Sequence, residues 1–230
     1  MIRRLFTEIA GVYDRMNHVL SLGLDRRWRR KAVELVRGTP RRILDLACGT
    51  GDFTFALAHR FPEATIIGVD LTSAMLDIAR RKNTSPRITF LEADAHDLSL
   101  VLRSLDEGGS PQPRNSATSQ LLSCAFGFRN FPDKAKVLGE VRKIIAADGE
   151  LLVLEFFRPK SKALGALTSI WVAFLASVLA HGKRDAYRHL RQSRKTTLSE
   201  EEFIALANAN GFTLATRRFF FPCCTCLLFT

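Results

Sequence analysis

Short apolar runs of strand length alternate along this chain with segments whose apolar residues recur every three or four positions. That alternation limits the fold more than any other feature. The runs are RRILDLA (41–47), TIIGVD (65–70), RITFLEAD (87–94), LLSCAFG (121–127) and GELLVLEFF (149–157). Between them lie DFTFALAHRF (52–61), SAMLDIARRK (73–82) and DKAKVLGEVRKIIAA (133–147). Strand, helix and strand repeated in this way predict a parallel sheet with helices on both faces. Helices also precede the first strand, one reaching Val12 and one through DRRWRRKAVELV (25–36). After the fifth strand, SEEEFIALANANGF (199–212) reads as a helix with Ser199 as N-cap, Glu202 three residues later and Gly211 as its stop. The last apolar runs pair as edge strands, and DEGGSPQPRNSATS (106–119) is a surface loop.

The first strand runs into ILDLACGTGDFT (43–54), a glycine turn fenced by Asp45 and Asp52. Glycine turns after a strand usually cradle phosphate on bare N–H groups. Here Gly49 and Gly51 are followed by Asp52, Phe53 and Thr54, so the third glycine of a dinucleotide loop is missing. Two carboxylates would repel a pyrophosphate and suit a cationic ligand. S-adenosylmethionine fits, carrying a sulfonium, an ammonium and a nucleoside. Asp70 ends the second strand, 19 residues past Gly51, where a carboxylate accepts both ribose hydroxyls. Asp94 ends the third strand, where its side chain and the N–H of Ala95 read an adenine edge. Helix capping explains one or two such acids but not the ordered set.

With 230 residues the chain reads as a single domain. A net charge of +11 predicts an acidic partner or surface. Five cysteines form no disulfide framework, and Cys223, Cys224 and Cys226 lack the fourth ligand of a metal site, so no metal is expected. The opening MIRRLFTEIAGVYD lacks the apolar core of a secretion signal, which predicts the cytoplasm. Ala163 to Gly182 carries 20 residues without a formal charge, diluted by Gly165, Thr168, Ser169, Ser177 and His181. It reads as a buried or interfacial helix, not a membrane span.

Several segments together resemble the ubiquinone/menaquinone biosynthesis C-methyltransferase family. YDRMNHVLSLGLDRRW (13–28) is similar to its first signature, LDLACGTGDFT to its cofactor loop and CAFGFRNFPDK (124–134) to its FG-hydrophobic-RN segment. KIIAADGELLVLEFF (143–157) and DAYRHLRQS (185–193) are similar to two further segments. The resemblance implies a class I methyltransferase, Rossmann-like α/β fold. Its seven-stranded sheet would be mostly parallel, with an antiparallel edge strand at the C-terminus. The expected organisation is an N-terminal helical cap (1–37), a cofactor core (41–157), a helical substrate lid (160–196) and a closing helix and strands (199–230). It implies cofactor contacts from Thr50, Asp70, Asp94 and Ala95, with Ala125 lacking a hydroxyl that the family often supplies. Tyr13, Asp14 and Asn17 would close over the cofactor, and Arg129 and Asn130 would face substrate. Asp25 stands where the family usually has histidine. AADG (146–149) replaces a Lys-Pro-Gly-Gly turn, which predicts a positive φ at Asp148.

The function implied is methylation of a ring carbon in a polyprenyl quinol, with Arg129 supporting a phenolate and no base singled out between His18 and His189. A small-molecule O-methyltransferase, an RNA methyltransferase and an inactive binding module are the alternatives. CAFGFRN lacks an Asn-Pro-Pro-Tyr-like turn for gripping a base, which argues against nucleic acid. Basic residues beside the cap and lid (Arg26, Arg27, Arg29, Arg30, Lys31, Lys160, Lys162, Lys183, Arg184, Arg188 and Arg191) predict peripheral binding to an anionic membrane at its inner face. Trp171 and Phe174 are expected near the tail. The oligomeric state stays open, a homodimer included.

Overall fold

A computed structural model of the chain describes residues 2–99, 101, 119–159, 161, 197–221 and 224–230. The proposed lid, the expected lid aromatics Trp171 and Phe174, His189 and most of the 106–119 loop lie outside those residues. Two helices, α1 (Ile2–Leu20) and α2 (Leu24–Val33), precede the sheet. β1 (Arg42–Leu46), α3 (Asp52–Arg60), β2 (Thr65–Asp70), α4 (Ser73–Lys82) and β3 (Ile88–Glu92) form the first half. β4 (Ser119–Ala125), a 3₁₀ turn (Phe128–Asn130), α5 (Lys134–Ile144) and β5 (Ile145–Phe156) form the second. α6 (Glu200–Ala209), β6 (Leu214–Phe221) and β7 (Cys224–Phe229) close it.

The seven strands lie in the order β3-β2-β1-β4-β5-β7-β6. β1 pairs in parallel with β2 on one side and β4 on the other, so the strand order reverses at β1. Loops leaving β1 and β4 therefore diverge, and the crevice between them is where an open α/β sheet binds ligand. β7 runs antiparallel between β5 and β6.

Apolar alternation along each strand builds two cores. Leu44, Leu46, Leu151 and Val153 face α5 and α6, whereas Ile43, Leu152 and Leu154 face α2, α3 and α4. All seven are at most 2% exposed, and each such side chain contributes about 1.5–3 kcal/mol. Cys48, Cys124, Cys224 and Cys226 are buried in this packing as free thiols.

Two local expectations change. The first helix runs to Leu20, well past Val12, because its apolar stripe continues: Ile9, Ala10, Tyr13 and Met16 pack against Met75, Ala74 and Ile78 of α4. The YDRMN segment is thus helical. Asp148 has no positive φ; among the described residues only Leu22, Ala47 and Phe126 do so without being glycine. β5 instead begins directly at Ile145, and a register irregularity opposite Ser119–Leu121 absorbs the extra residues.

Phe126 takes φ 59° at the end of β4, directly before Gly127. A Cβ on Gly127 would lie 2.7 Å from both Ala47 Cβ and Cys124 Sγ, so the glycine is required by close approach although its φ is −99°. Gly127→Ala should destabilise the fold by about 1–3 kcal/mol. The expected readout is a lower urea midpoint with an unchanged slope.

Candidate active site

After Leu46 the chain must leave the sheet and enter α3 within a few residues. Ala47 (φ 50°), Gly49 (φ 56°) and Gly51 (φ 87°) all take left-handed conformations to do so. Gly51 has no substitute here, since a Cβ would lie 2.9 Å from the Phe55 ring. The turn forms one wall of a cleft that also includes Tyr13, Arg29, Asp45, Ala125 and Phe126.

The three acids differ in place and setting: Asp45 lies inside β1, Asp70 ends β2, and Asp94, expected at the end of β3, follows it by two residues. Asp45 is fully buried and accepts from the hydroxyls of Thr54 (2.6 Å) and Ser123 (2.7 Å). Burial outweighs those bonds and pushes its pKa up to about 6. Asp70 accepts the N–H of Gly49 on one oxygen and that of Thr72 on the other, each at 2.9 Å. Burial raises its pKa as well, and each oxygen keeps a lone pair for a ligand hydroxyl. Asp94 is exposed and accepts from the N–H (2.9 Å) and pairs with the ring (2.7 Å) of His96. Partial burial works to raise its pKa, but the His96 contacts prevail and lower it. Ala95 beside it is buried.

α1 covers the turn. Thr50 donates its hydroxyl to Asp14 at 2.5 Å. Lys82 of α4 reaches Asp14 (2.6 Å), Asp52 (3.0 Å) and the Thr50 carbonyl (3.3 Å). The Tyr13 ring lies over Gly49, with Cε1 3.9 Å from where a Cβ would stand. The structure thus brings Tyr13, Asp45, Gly49, Thr50, Gly51 and Ala125 together, with Asp70 bonded to the turn from beneath and Asp94 and Ala95 after β3.

Arg129 and Asn130 occupy the 3₁₀ turn after β4, but Arg129 is not a free cation. Its Nη1 donates to Glu155 Oε1 at 2.7 Å and its backbone N–H to Oε2 at 3.1 Å. Burial would lower its pKa, and the Glu155 carboxylate more than reverses this. The guanidinium also faces the rings of Phe126 (5.9 Å) and Phe156 (5.8 Å). Asn130 donates to the Phe126 carbonyl at 3.5 Å. Glu155 is 2% exposed and was missed in the sequence, although an acid inside LLVLEFF is a signal for a buried partner.

Arg29 corrects the reading of α2 as a wholly membrane-facing basic run. It is buried, ion-paired to the buried Asp25 and turned into the cleft. Asp25 also accepts from Ser21 (2.9 Å) and meets His18 Nδ1 at 3.1 Å. Burial acts to raise the Asp25 pKa, but Arg29 and these bonds lower it below the usual value.

Residues 1–225 match the ubiE/COQ5 methyltransferase family. A demethylmenaquinone methyltransferase of Thermus thermophilus is 40% identical over 91% of this chain and 92% of its own length. The ubiquinone/menaquinone biosynthesis C-methyltransferase UbiE of Syntrophotalea carbinolica is 35% identical over 91% of this chain and 85% of its own. Among solved structures, a SAM-dependent methyltransferase of Thermotoga maritima superposes with a TM-score of 0.66, covering 100% of this chain and 99% of that one at 17% identity. That likeness concerns the fold.

The Asp45 shift has a thermodynamic signature. Between about pH 4 and pH 6 the folded carboxyl keeps a proton that the unfolded one, near 3.8, has lost. The folded state then binds more protons, so this group makes stability fall as pH rises through that window and level off above it, by about 3 kcal/mol in all. Asp45→Asn should flatten the difference and leave the ligand-free protein at least as stable at pH 7, as measured by urea unfolding across pH 4–7.

Proposed function

The chain belongs to the ubiE/COQ5 methyltransferase family, and from that premise we propose that it methylates a ring carbon of a polyprenyl quinol with S-adenosylmethionine as cofactor. The observation that carries this reading is the cleft itself. Acids in or just after three successive strands stand around a glycine turn that lacks the third glycine of a dinucleotide loop, and the Arg129–Glu155 pair stands beyond the end of β4. Names of relatives that act on demethylmenaquinone or in ubiquinone/menaquinone biosynthesis support the substrate class.

The donor set suits the cofactor. Asp70 has a lone pair on each oxygen for two ribose hydroxyls, Asp94 and the Ala95 N–H suit an adenine edge, and Asp45 suits an ammonium. Ala125 leaves a methyl where a hydroxyl would add a contact. When bound, the cofactor supplies a methyl group made electrophilic by a sulfonium. The protein must then make a ring carbon nucleophilic, which requires a neighbouring hydroxyl to lose its proton. Arg129 serves that oxygen with its remaining N–H groups, and a donor aimed at developing negative charge lowers the barrier most when it is already oriented. Glu155 provides that orientation. Tyr13 and Asn130 bound the same space and help exclude water.

Incubation with labelled S-adenosylmethionine and demethylmenaquinol should place the label on a ring carbon, and label on oxygen would overturn the reading. Arg129→Ala alone leaves Glu155 buried and unpaired, at about 3–5 kcal/mol. The pair Arg129→Gln with Glu155→Gln avoids that charge and should lower kcat by about 10²–10³-fold while S-adenosylhomocysteine affinity holds. Equal losses in both would reduce Arg129 to a structural role.

A polyprenyl tail also brings in a membrane surface. Among the described residues no helix is long and apolar enough to cross a membrane. Arg26, Arg27, Arg30 and Lys31 of α2 are exposed, and Arg218 of β6 reaches the Lys31 carbonyl. Phe219, 61% exposed, and Phe220 face Leu24 across a groove rimmed by Arg27, Lys31 and Arg218. Glu34 offsets part of this charge by pairing with Lys31 and Arg218. Each remaining cation near an anionic leaflet contributes about 1 kcal/mol. The protein should co-sediment with anionic vesicles at low salt and be released as salt rises, and equal binding to neutral vesicles would refute the electrostatic part.

A further inference from the structure

S-adenosylmethionine presents two opposite charges at its amino-acid end, and the acids of the cleft answer only the ammonium. A carboxylate that enters the same space needs a cation. Lys82 is engaged by Asp14, Asp52 and the Thr50 carbonyl, and Arg129, held by Glu155 through Nη1, does not line this cleft. Arg29 remains, and it is the one cation among the described residues that line the cleft.

Its geometry is that of a binding group. The Arg29 side chain is 9% exposed, yet only Nη1 makes a hydrogen bond, to Asp25 Oδ2. Asp52 is 3.9 Å from the same nitrogen, too far for a second bond. A guanidinium carries five N–H donors, and buried polar groups are normally satisfied. Nε and Nη2 have no acceptor among the described residues, while the guanidinium lies 5.6 Å over the Phe126 ring at the cleft wall. Asp25 holds one edge of the fork, leaving the rest free to meet a carboxylate, a geometry that lysine does not reproduce.

We propose that Arg29 receives the carboxylate of the cofactor's amino-acid end, with Asp45 on the ammonium side and Asp25 as the positioning residue that fixes the guanidinium. This rests on the methyltransferase reading above. It gives the aspartate at position 25 a definite task, since a permanent anion four residues before Arg29 on the same helix face keeps that side chain turned inward.

Calorimetry with two nucleosides tests it. S-adenosylhomocysteine carries the amino-acid end, and 5′-methylthioadenosine lacks it while keeping adenine and ribose. Arg29→Gln should weaken S-adenosylhomocysteine by about 10- to 100-fold and methylthioadenosine by less than about twofold. Because Arg29→Gln leaves Asp25 unpaired, the double variant with Asp25→Asn is measured alongside, with thermal unfolding as the check on folding, and the same selective loss is expected. Equal weakening of both nucleosides, or of neither, overturns the assignment. If the unaltered protein binds neither, the cofactor reading itself fails, and the Arg29 assignment with it.

Discussion

Asp45 holds the centre of this molecule together. β1 lies where the strand order reverses, so the chain leaving it has neighbours on both sides that lead away from one another. A buried carboxylate with one oxygen on Thr54 of α3 and the other on Ser123 of β4 ties these diverging halves beneath the glycine turn. The cost is a charge in a dry place, visible in a pKa pushed up to about 6. An apolar side chain would pack there at lower cost and would leave both hydroxyls without acceptors. The protein keeps this desolvated acid in the wall of the cleft, and perturbed carboxyls of that kind cluster at functional sites.

The N-terminal helices complete the site through charge as much as packing. α1 meets α4 by an apolar stripe, but its alignment over the turn is set by Asp14, which is shared between the Thr50 hydroxyl and Lys82. Lys82 sits at the last turn of α4 and joins α1, the turn and α3 in one contact set. These bonds are partly exposed, so each is weak. Their number orients α1 over the turn.

Periodicity made the sheet, its parallel sense and nearly every helix legible, because these depend on which residues are apolar and on little else. β2 and α4 match the residues expected of them. Where the outcome depended on a distant partner, the sequence was mute. α1 outran its expected end because its stripe finds α4, and AADG forms a bulge between Ile145 and Glu150 that closes without a positive φ at Asp148. The place of Asp70 was readable since it ends β2, whereas Asp45 lies inside β1 and Asp94 follows the end of β3 by two residues. Glu155, an acid in an apolar run, signalled a buried partner without naming it, and Arg29 looked ordinary as one cation in a basic run.

The two buried arginines show how the same side chain takes different work from its carboxylate. Glu155 meets Arg129 through both oxygens, one on the guanidinium and one on the backbone N–H, so turn and side chain are fixed together and the pair is close to neutral. What it offers a ligand is direction more than charge. Asp25 meets Arg29 at a single nitrogen and divides its remaining capacity between Ser21 and His18. Its pKa is lowered, so it stays ionised through the range in which a histidine would titrate. A histidine there would repel the guanidinium when protonated and merely accept from it when neutral. The aspartate removes that pH dependence and leaves most of the Arg29 fork unclaimed, at the place where the cleft otherwise holds only negative charge.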